Sequence, residues 1–249
     1  SANTILGLGN DTAFYEGFAN NSQGWTLDTE WQIGAATTSS GHNYGISDPA
    51  ADHTTTLDNG VAGVIIGGNA STALHATYYI TSPMINLSSL TTAQLNFWRW
   101  LNSDYTPFMQ NLIDVWNGST WINIWASSGF PGILDNTWNL QSYDITPYIN
   151  AAFKFRIGHS VGSANAFIVS SWNIDDVSIT GLVPVAPSIT WTGPSSITSP
   201  NTNTTSAIPS NSGINTYTVT VNDVYGCTHT STVNAIVNNC GGSTLNLKL

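Results

Sequence analysis

The chain has 249 residues and a formal net charge of −10, with 7% of residues charged, 41% hydrophobic and 11% aromatic. That balance excludes a disordered chain, which pairs low hydrophobicity with high charge. It also excludes nucleic acid as a ligand, because phosphate neutralisation needs clustered Lys and Arg, and the chain has four in all, Arg99, Lys154, Arg156 and Lys248.

Residues 1–13 read as an N-terminal extension in which Ile5, Leu6 and Leu8 form a free apolar strand. From 14 to 181 the segments are short, β-branched or aromatic, and broken by Gly, Asn and Pro. Strands are predicted at 24–33, 60–66, 78–84, 93–100, 111–116, 121–126, 138–144, 152–159 and 172–179, with no convincing helix. Asn117-Gly118-Ser119-Thr120 between two alternating runs is a hairpin signal. Many short strands at these spacings predict a jelly-roll β-sandwich. Residues 182–187, with two prolines, predict a stiff linker; of the ten Trp only Trp191 follows it. Residues 188–240 predict a small immunoglobulin-like β-sandwich with strands at 188–191, 215–221 and 228–237. The whole chain is therefore expected to be all-β. Residues 241–249 end in a strand alternating Leu245, Leu247 and Leu249. No apolar run approaches the ~20 residues of a membrane-spanning helix, so no membrane span is expected.

The run Trp172–Ile179 carries adjacent carboxylates, Asp175 and Asp176. Strand alternation places them on opposite faces, so one faces a side its apolar neighbours keep dry. A carboxylate there needs hydrogen bonds, a partner or a bound cation. So few Lys and Arg favour the cation.

Several segments together resemble the MAM-like jelly-roll modules of secreted bacterial and animal surface proteins. They are Glu16-Gly17-Phe18 with Gly24-Trp25 and Trp31-Gln32-Ile33-Gly34, then Asp48-Pro49-Ala50-Ala51-Asp52-His53-Thr54. Tyr79–Ser88, Leu95–Trp100 and the closing Trp172–Ile179 strand follow. Residues 185–240 resemble the immunoglobulin- or PKD-like repeats of bacterial adhesins, through Tyr217-Thr218-Val219-Thr220-Val221 and Tyr225-Gly226-Cys227-Thr228. The first resemblance implies a structural Ca²⁺ where the first and last strands meet. Glu16, Asp175 and Asp176 would be its charged ligands, with Asp48 and Asp52 added from a loop too polar to pack. The competing reading is turn-forming acids exposed to water.

Catalysis is not expected. Asp175 and Asp176 on opposite faces cannot share a substrate, the five His lack metal-ligand spacing, and no nucleophile elbow occurs. Trp98 and Trp100 share a strand face and are expected in the core. Glycan contacts would come from loop aromatics: Tyr44, Tyr105, Phe108 and Phe130. Cys227 and Cys240 suit an oxidising compartment and are disulfide candidates. Ten extended residues between them span ~33 Å against the roughly 7 Å a disulfide allows, so a bond to the next subunit is one expectation. The alternatives are two free, partly buried thiols, or a shorter strand that would leave a bond within the chain open. A start at Ser1 reads most simply as a mature secreted form. The expected role is an extracellular, cell-surface structural or adhesive protein. It would assemble with copies of itself by passing a terminal strand, preferably 245–249, to its neighbour. The rival role is a carbohydrate-binding module of a secreted bacterial protein.

Overall fold

A computed structural model describes residues 7–54, 56–209, 211–223, 225–238 and 244–248. The chain divides into two compact units, Asn10–Leu182 and a second made of Val183–Leu249 with Ser1–Gly9. It is all-β. The first strands are β1 (Gly7–Glu16), β2 (Thr26–Leu27), β3 (Trp31–Ala35), β4 (Gly60–Val64), β5 (His75–Thr81) and β6 (Thr92–Ser103). Then come β7 (Met109–Trp116), β8 (Trp121–Ala126), β9 (Ile133–Leu134), β10 (Asn139–Asp144), β11 (Lys154–Val161) and β12 (Trp172–Val185). The chain ends with β13 (Ser188–Thr192), β14 (Thr204–Ala207), β15 (Gly213–Asn222), β16 (Thr228–Val237) and β17 (Leu245–Lys248).

The first unit is a β-sandwich. One sheet runs β10-β6-β12-β4-β3, with β1 beside β12 and β9 beside β6; the other runs β2-β5-β11-β7-β8. Alternation explains the core. Leu95 and Phe97 of β6, with Ile174, Val177 and Ile179 of β12, are fully buried, as are Val115 of β7, Phe155 and Ile157 of β11 and Ile80 of β5. Each such side chain contributes roughly 1.5–3 kcal/mol of apolar burial. Trp125 of β8 meets Trp172 of β12 edge-on across the sandwich, ring centroids 5.9 Å apart. The Asn117 turn joins β7 to β8 as its sequence predicts: the Asn117 carboxamide oxygen accepts from the Ser119 and Thr120 amides at 2.9 Å.

Two features place the site. First, β12 pairs Asp175 with Trp98 and then Ser178 with Asn96, so one extra residue sits in β12. Asp176 occupies this bulge with φ +48°, a conformation non-glycine residues rarely adopt. The bulge switches face parity, which is why Ile174, Val177 and Ile179 all point inward. Second, the long 36–59 connection lies over the outer face of the first sheet. The Trp100 indole N–H donates to Ser47 O at 3.1 Å, and that of Trp138 donates to Ala51 O at 3.2 Å. Trp98 stacks on His53 with centroids 3.7 Å apart. Trp98 and Trp100 are therefore not the inward core pair expected of them; they clamp a loop to the outside.

The second unit has a β13-β15-β16 sheet and a β14-β17 pair. Its core is Ile189, Trp191, Ala207, Tyr217, Val219 and Leu247. Three sequence expectations change here. Of the expected N-terminal extension, the described residues 7–13 belong to β1, which runs from Gly7 and pairs with β12 of its own chain; Leu8 within it is 41% exposed. The expected linker is strand as far as Val185. The tail is not offered to a neighbour: β17 pairs with β14 of the same chain, Leu247 opposite Thr205, and Leu247 is 3% exposed. The apparent shortage of strands in this unit is met by the tail itself. Ile5, Leu6, Cys240 and Leu249 lie outside the described residues. Among the described residues Cys227 is exposed, at the head of a β16 that pairs with β15 at all ten positions.

Candidate functional site

A cavity of about 320 Å³ lies where the end of β1, the 36–59 loop and the β12 bulge meet. Glu16, Asp52, Asp58, Asp175 and Asp176 all line it, and no Lys or Arg does. Alternation alone put Asp175 and Asp176 on opposite faces, and the bulge overturns this by bringing both to one cavity. The argument against a shared substrate that rested on opposite faces falls with it.

Local hydrogen bonds fix Glu16, Asp52, Asp175 and Asp176. Glu16 accepts from the Phe18 amide at 2.9 Å and the Trp25 indole N–H at 3.0 Å. Asp52 accepts from the Thr56 hydroxyl at 2.6 Å. Asp175, 1% exposed, accepts from the backbone amides of His53 at 2.9 Å and Asp176 at 2.7 Å. Asp176 accepts from the Tyr15 hydroxyl at 2.6 Å and from Thr54, and meets His53 Nδ1 at 2.7 Å. The electrostatics differ within the pair. Burial, helped by the neighbouring Asp176 charge, pushes the Asp175 carboxyl up to about 7 against the amides that hold it. For Asp176 burial acts the same way, but the Thr54, Tyr15 and His53 contacts outweigh it and lower the carboxyl. Accepting the Tyr15 proton in that contact correspondingly raises the Tyr15 hydroxyl.

Asp48 does not join this cavity. It is 3% exposed, and one oxygen accepts from the Ser171 hydroxyl and the Asn173 side-chain amide, both at 2.9 Å. The expectation that Asp48 and Asp52 sit in a loop too polar to pack is corrected: both are buried, Asp52 beside the Thr56 hydroxyl and Asp48 with Oδ1 bonded while its Oδ2 is buried without a partner. The acids are also not drawn into a tight cage. Among the described residues, the one group of three or more metal-ligating atoms within 4.8 Å of one another is Glu30, His75 and His159. Sequence reading missed that group, since positions 30, 75 and 159 have no spacing that announces it.

The four loop aromatics singled out from the sequence gather in connections around one end of the first unit. Tyr105 makes edge contacts with Phe108 at 5.2 Å and Phe130 at 5.5 Å. Tyr44 stacks on Phe167 at 4.8 Å, a ring the sequence reading passed over. Asp104 ties these loops together, accepting from the Tyr105 amide at 2.8 Å and the Phe167 amide at 2.9 Å. Gly132 joins the two ring groups: a side chain there would strike Ser103 O and crowd Tyr44. Phe130 is 80% exposed, whereas the Tyr44 and Phe167 rings cover each other.

No family model matches the chain, and no curated protein matches it. Among solved structures it is similar to the K1 cleaved adhesin domain of Lys-gingipain from Porphyromonas gingivalis W83, at 16% identity and TM-score 0.39, covering 67% of this chain and 96% of that one. It is also similar to the CBM22-1 xylan-binding domain of Xyn10C from Paenibacillus barcinonensis, at 13% identity and TM-score 0.38, covering 71% and 97%. A third is CBM35 from the same organism, at 15% identity and TM-score 0.33, covering 69% and 97%. With TM-scores below 0.5, these likenesses decide nothing about function.

Proposed function

We propose that this is an extracellular adhesive protein of the secreted bacterial type, acting by binding rather than catalysis, with a MAM-like jelly roll followed by an immunoglobulin/PKD-like module. One observation carries the reading. Aromatic rings from the loops around residues 44, 105–108, 130 and 167 collect at one end of a sandwich, and Phe130 stands almost wholly in water. Exposed aromatics on loops held by a rigid scaffold suit contact with sugar rings or an apolar partner surface, which keeps the carbohydrate-binding alternative within the same site. A glycan array, followed by calorimetry on any hit, tests it. Binding should be lost in Phe130→Ala and Tyr105→Ala while the melting temperature holds. A blank array together with no attachment to cell surfaces would sink the reading.

Ca²⁺ belongs to the proposal as a structural ion in the acidic cavity. The donor set fits a hard cation: five carboxylates, from Glu16, Asp52, Asp58, Asp175 and Asp176, line one space without Lys or Arg. Glu16, Asp52, Asp175 and Asp176 already hold short contacts to hydroxyls and amides, so they would need to draw together, with water completing the six to eight oxygens Ca²⁺ takes. Bound there, it would offset the charge on a buried Asp175 and fasten the 36–59 loop to β1 and β12.

A second reading, self-assembly, is favoured by β16. It is an edge strand in the β13-β15-β16 order, and Val233 and Ile236 on it are 41% and 72% exposed. Among the described residues no strand covers this ten-residue edge, and such an edge is a template for another strand. Because β17 is seated at home, a second copy would add at β16 rather than receive the tail. Electron microscopy of the protein at high concentration tests this. Filaments that vanish in Thr230→Pro support it, and a monodisperse monomer removes it.

A further inference from the structure

We infer that Glu30, His75 and His159 form a binding site for a divalent d-block cation, with Zn²⁺ the best fit. The three come from separate elements: Glu30 from the turn before β3, His75 from the first position of β5, and His159 from the middle of β11. One ligand atom from each of the three lies within 4.8 Å of the other two. Glu30 Oε2, His75 Nε2 and His159 Nε2 are all buried without a hydrogen-bond partner. Ten such atoms occur among the described residues, and three of them belong to this one group. A buried polar atom left unpaired costs about 1–3 kcal/mol, so three converging on one space point to something that all three address.

Chemistry narrows the occupant. Two imidazole nitrogens and one carboxylate oxygen are a common zinc donor set, and a hard cation such as Ca²⁺ prefers oxygen alone. The His75 ring is already set for ligation. Its Nδ1 lies 2.8 Å from Ala76 O, so Nδ1 carries the proton and donates it, leaving the Nε2 lone pair aimed at the site. His159 is 3% exposed, and burial, with His75 beside it, pushes its imidazole down to about 3, which keeps it neutral. Burial raises the Glu30 carboxyl, opposed by His75 and the Ser71 backbone. Ligands ~2.0–2.2 Å from a tetrahedral zinc stand roughly 3.3–3.5 Å apart. The observed 3.9 Å between His159 Nε2 and Glu30 Oε2 therefore needs to close by about half an ångström. Glu30 also holds φ +74°, a strained conformation that aims its side chain at β11. Three protein ligands leave a fourth position, on the side where Glu30 and His75 are only half-buried, for water or a donor from outside. The site would pin the turn before β3 and the start of β5 to β11.

The test uses the full chain, stripped with chelator and then saturated with Ca²⁺ so that the oxygen site does not compete. Titration with ZnCl₂ should show one Zn²⁺ per chain and a higher melting temperature, and Co²⁺ should give the intense visible absorption of a four-coordinate centre. His75→Ala and Glu30→Gln, at half-buried positions, should each fold and weaken Zn²⁺ binding by roughly 100-fold or more, above what loss of an outer-shell partner costs. Absence of Zn²⁺ binding, or binding undiminished in both variants, overturns the site. The three atoms would then be explained by a protonated Glu30 donating to an imidazole.

Discussion

Asn10–Leu182 buries carboxylates, amides and an imidazole, among them Glu16, Asp48, Asp52, Asp114, Asp135, His159 and Asp175. Among the described residues, the second unit closes on six side chains, and its buried polar residues are Thr205 and Asn215. The contrast separates two ways of fixing a β-sandwich. In the first, polar groups specify which loops dock where, because each is costly unless it meets its own partner. In the second, a small apolar cluster does the work, and one of its members arrives on the last strand of the chain. The first unit should therefore answer to pH and cations, and the second to the loss of single methyl groups.

The largest expected effect breaks the first half of that contrast. Asp175 has its carboxyl raised from the ordinary 3.8 to about 7, so the folded state holds this proton more tightly than the unfolded chain does. The stability it represents is fully present below about pH 4 and is lost as pH rises through 7. At ~1.4 kcal/mol per unit, the loss is on the order of 4 kcal/mol. Chelator-treated protein should show the melting transition of the first unit falling across that window while the transition of the second stays level. Adding Ca²⁺ should flatten the profile, because a cation stabilises the charged form. Asp175→Asn should flatten it without Ca²⁺. Identical melting curves with Ca²⁺ and with excess chelator at pH 7 would remove the ion from the acidic cavity.

A somewhat smaller effect tests the second half. Leu247→Ala deletes a side chain that is 3% exposed in a six-member core, and such truncations cost about 2–5 kcal/mol. In a module this small the change should lower only the second transition. Hydrogen exchange should then show β14 unprotected while β6, β11 and β12 stay protected. Removing residues 244–249 should do the same more strongly. If the truncated chain keeps β14 protected, the tail is dispensable at home, and its expected transfer to a neighbouring subunit regains its footing.

Much of the fold was legible because strands declare themselves locally. Alternation in 93–100 and 215–221, the Asn117 turn and the Leu245–Leu247 pattern all became strands or hairpins. Partners were not legible, since pairing is decided by the rest of the molecule. The tail read as a strand, but nothing in it named β14. Trp98 and Trp100 were assigned to the core on shared parity, yet it is the opposite parity, Leu95 and Phe97, that points inward. The bulge had left a trace: Ile174, Val177 and Ile179 are spaced three and then two, the signature of an inserted residue. Reading it would have placed Asp175 and Asp176 together. The Glu30, His75 and His159 group left no such trace, as three strand-and-loop positions far apart in sequence carry no period.

The smallest effect on stability is expected at the aromatic end, which makes it the sharpest control. Phe130 is 80% exposed and touches Tyr105 at its edge. Replacing it with alanine removes little buried area and leaves no cavity, so stability should change by no more than about 0.5 kcal/mol. The melting transitions of both units should match the parent within that range, with and without Ca²⁺. Ligand binding should behave oppositely, falling by tenfold or more if the ring stacks on a sugar face or seats in a partner surface, since exposed aromatics carry disproportionate binding energy. Tyr44→Ala provides the contrast. Its ring lies against Phe167 and beside Gly132, so the loss should loosen the loops and lower stability along with binding. A Phe130→Ala protein that binds as well as the parent would leave this ring as ordinary exposed surface and move the search for the ligand contact to another face.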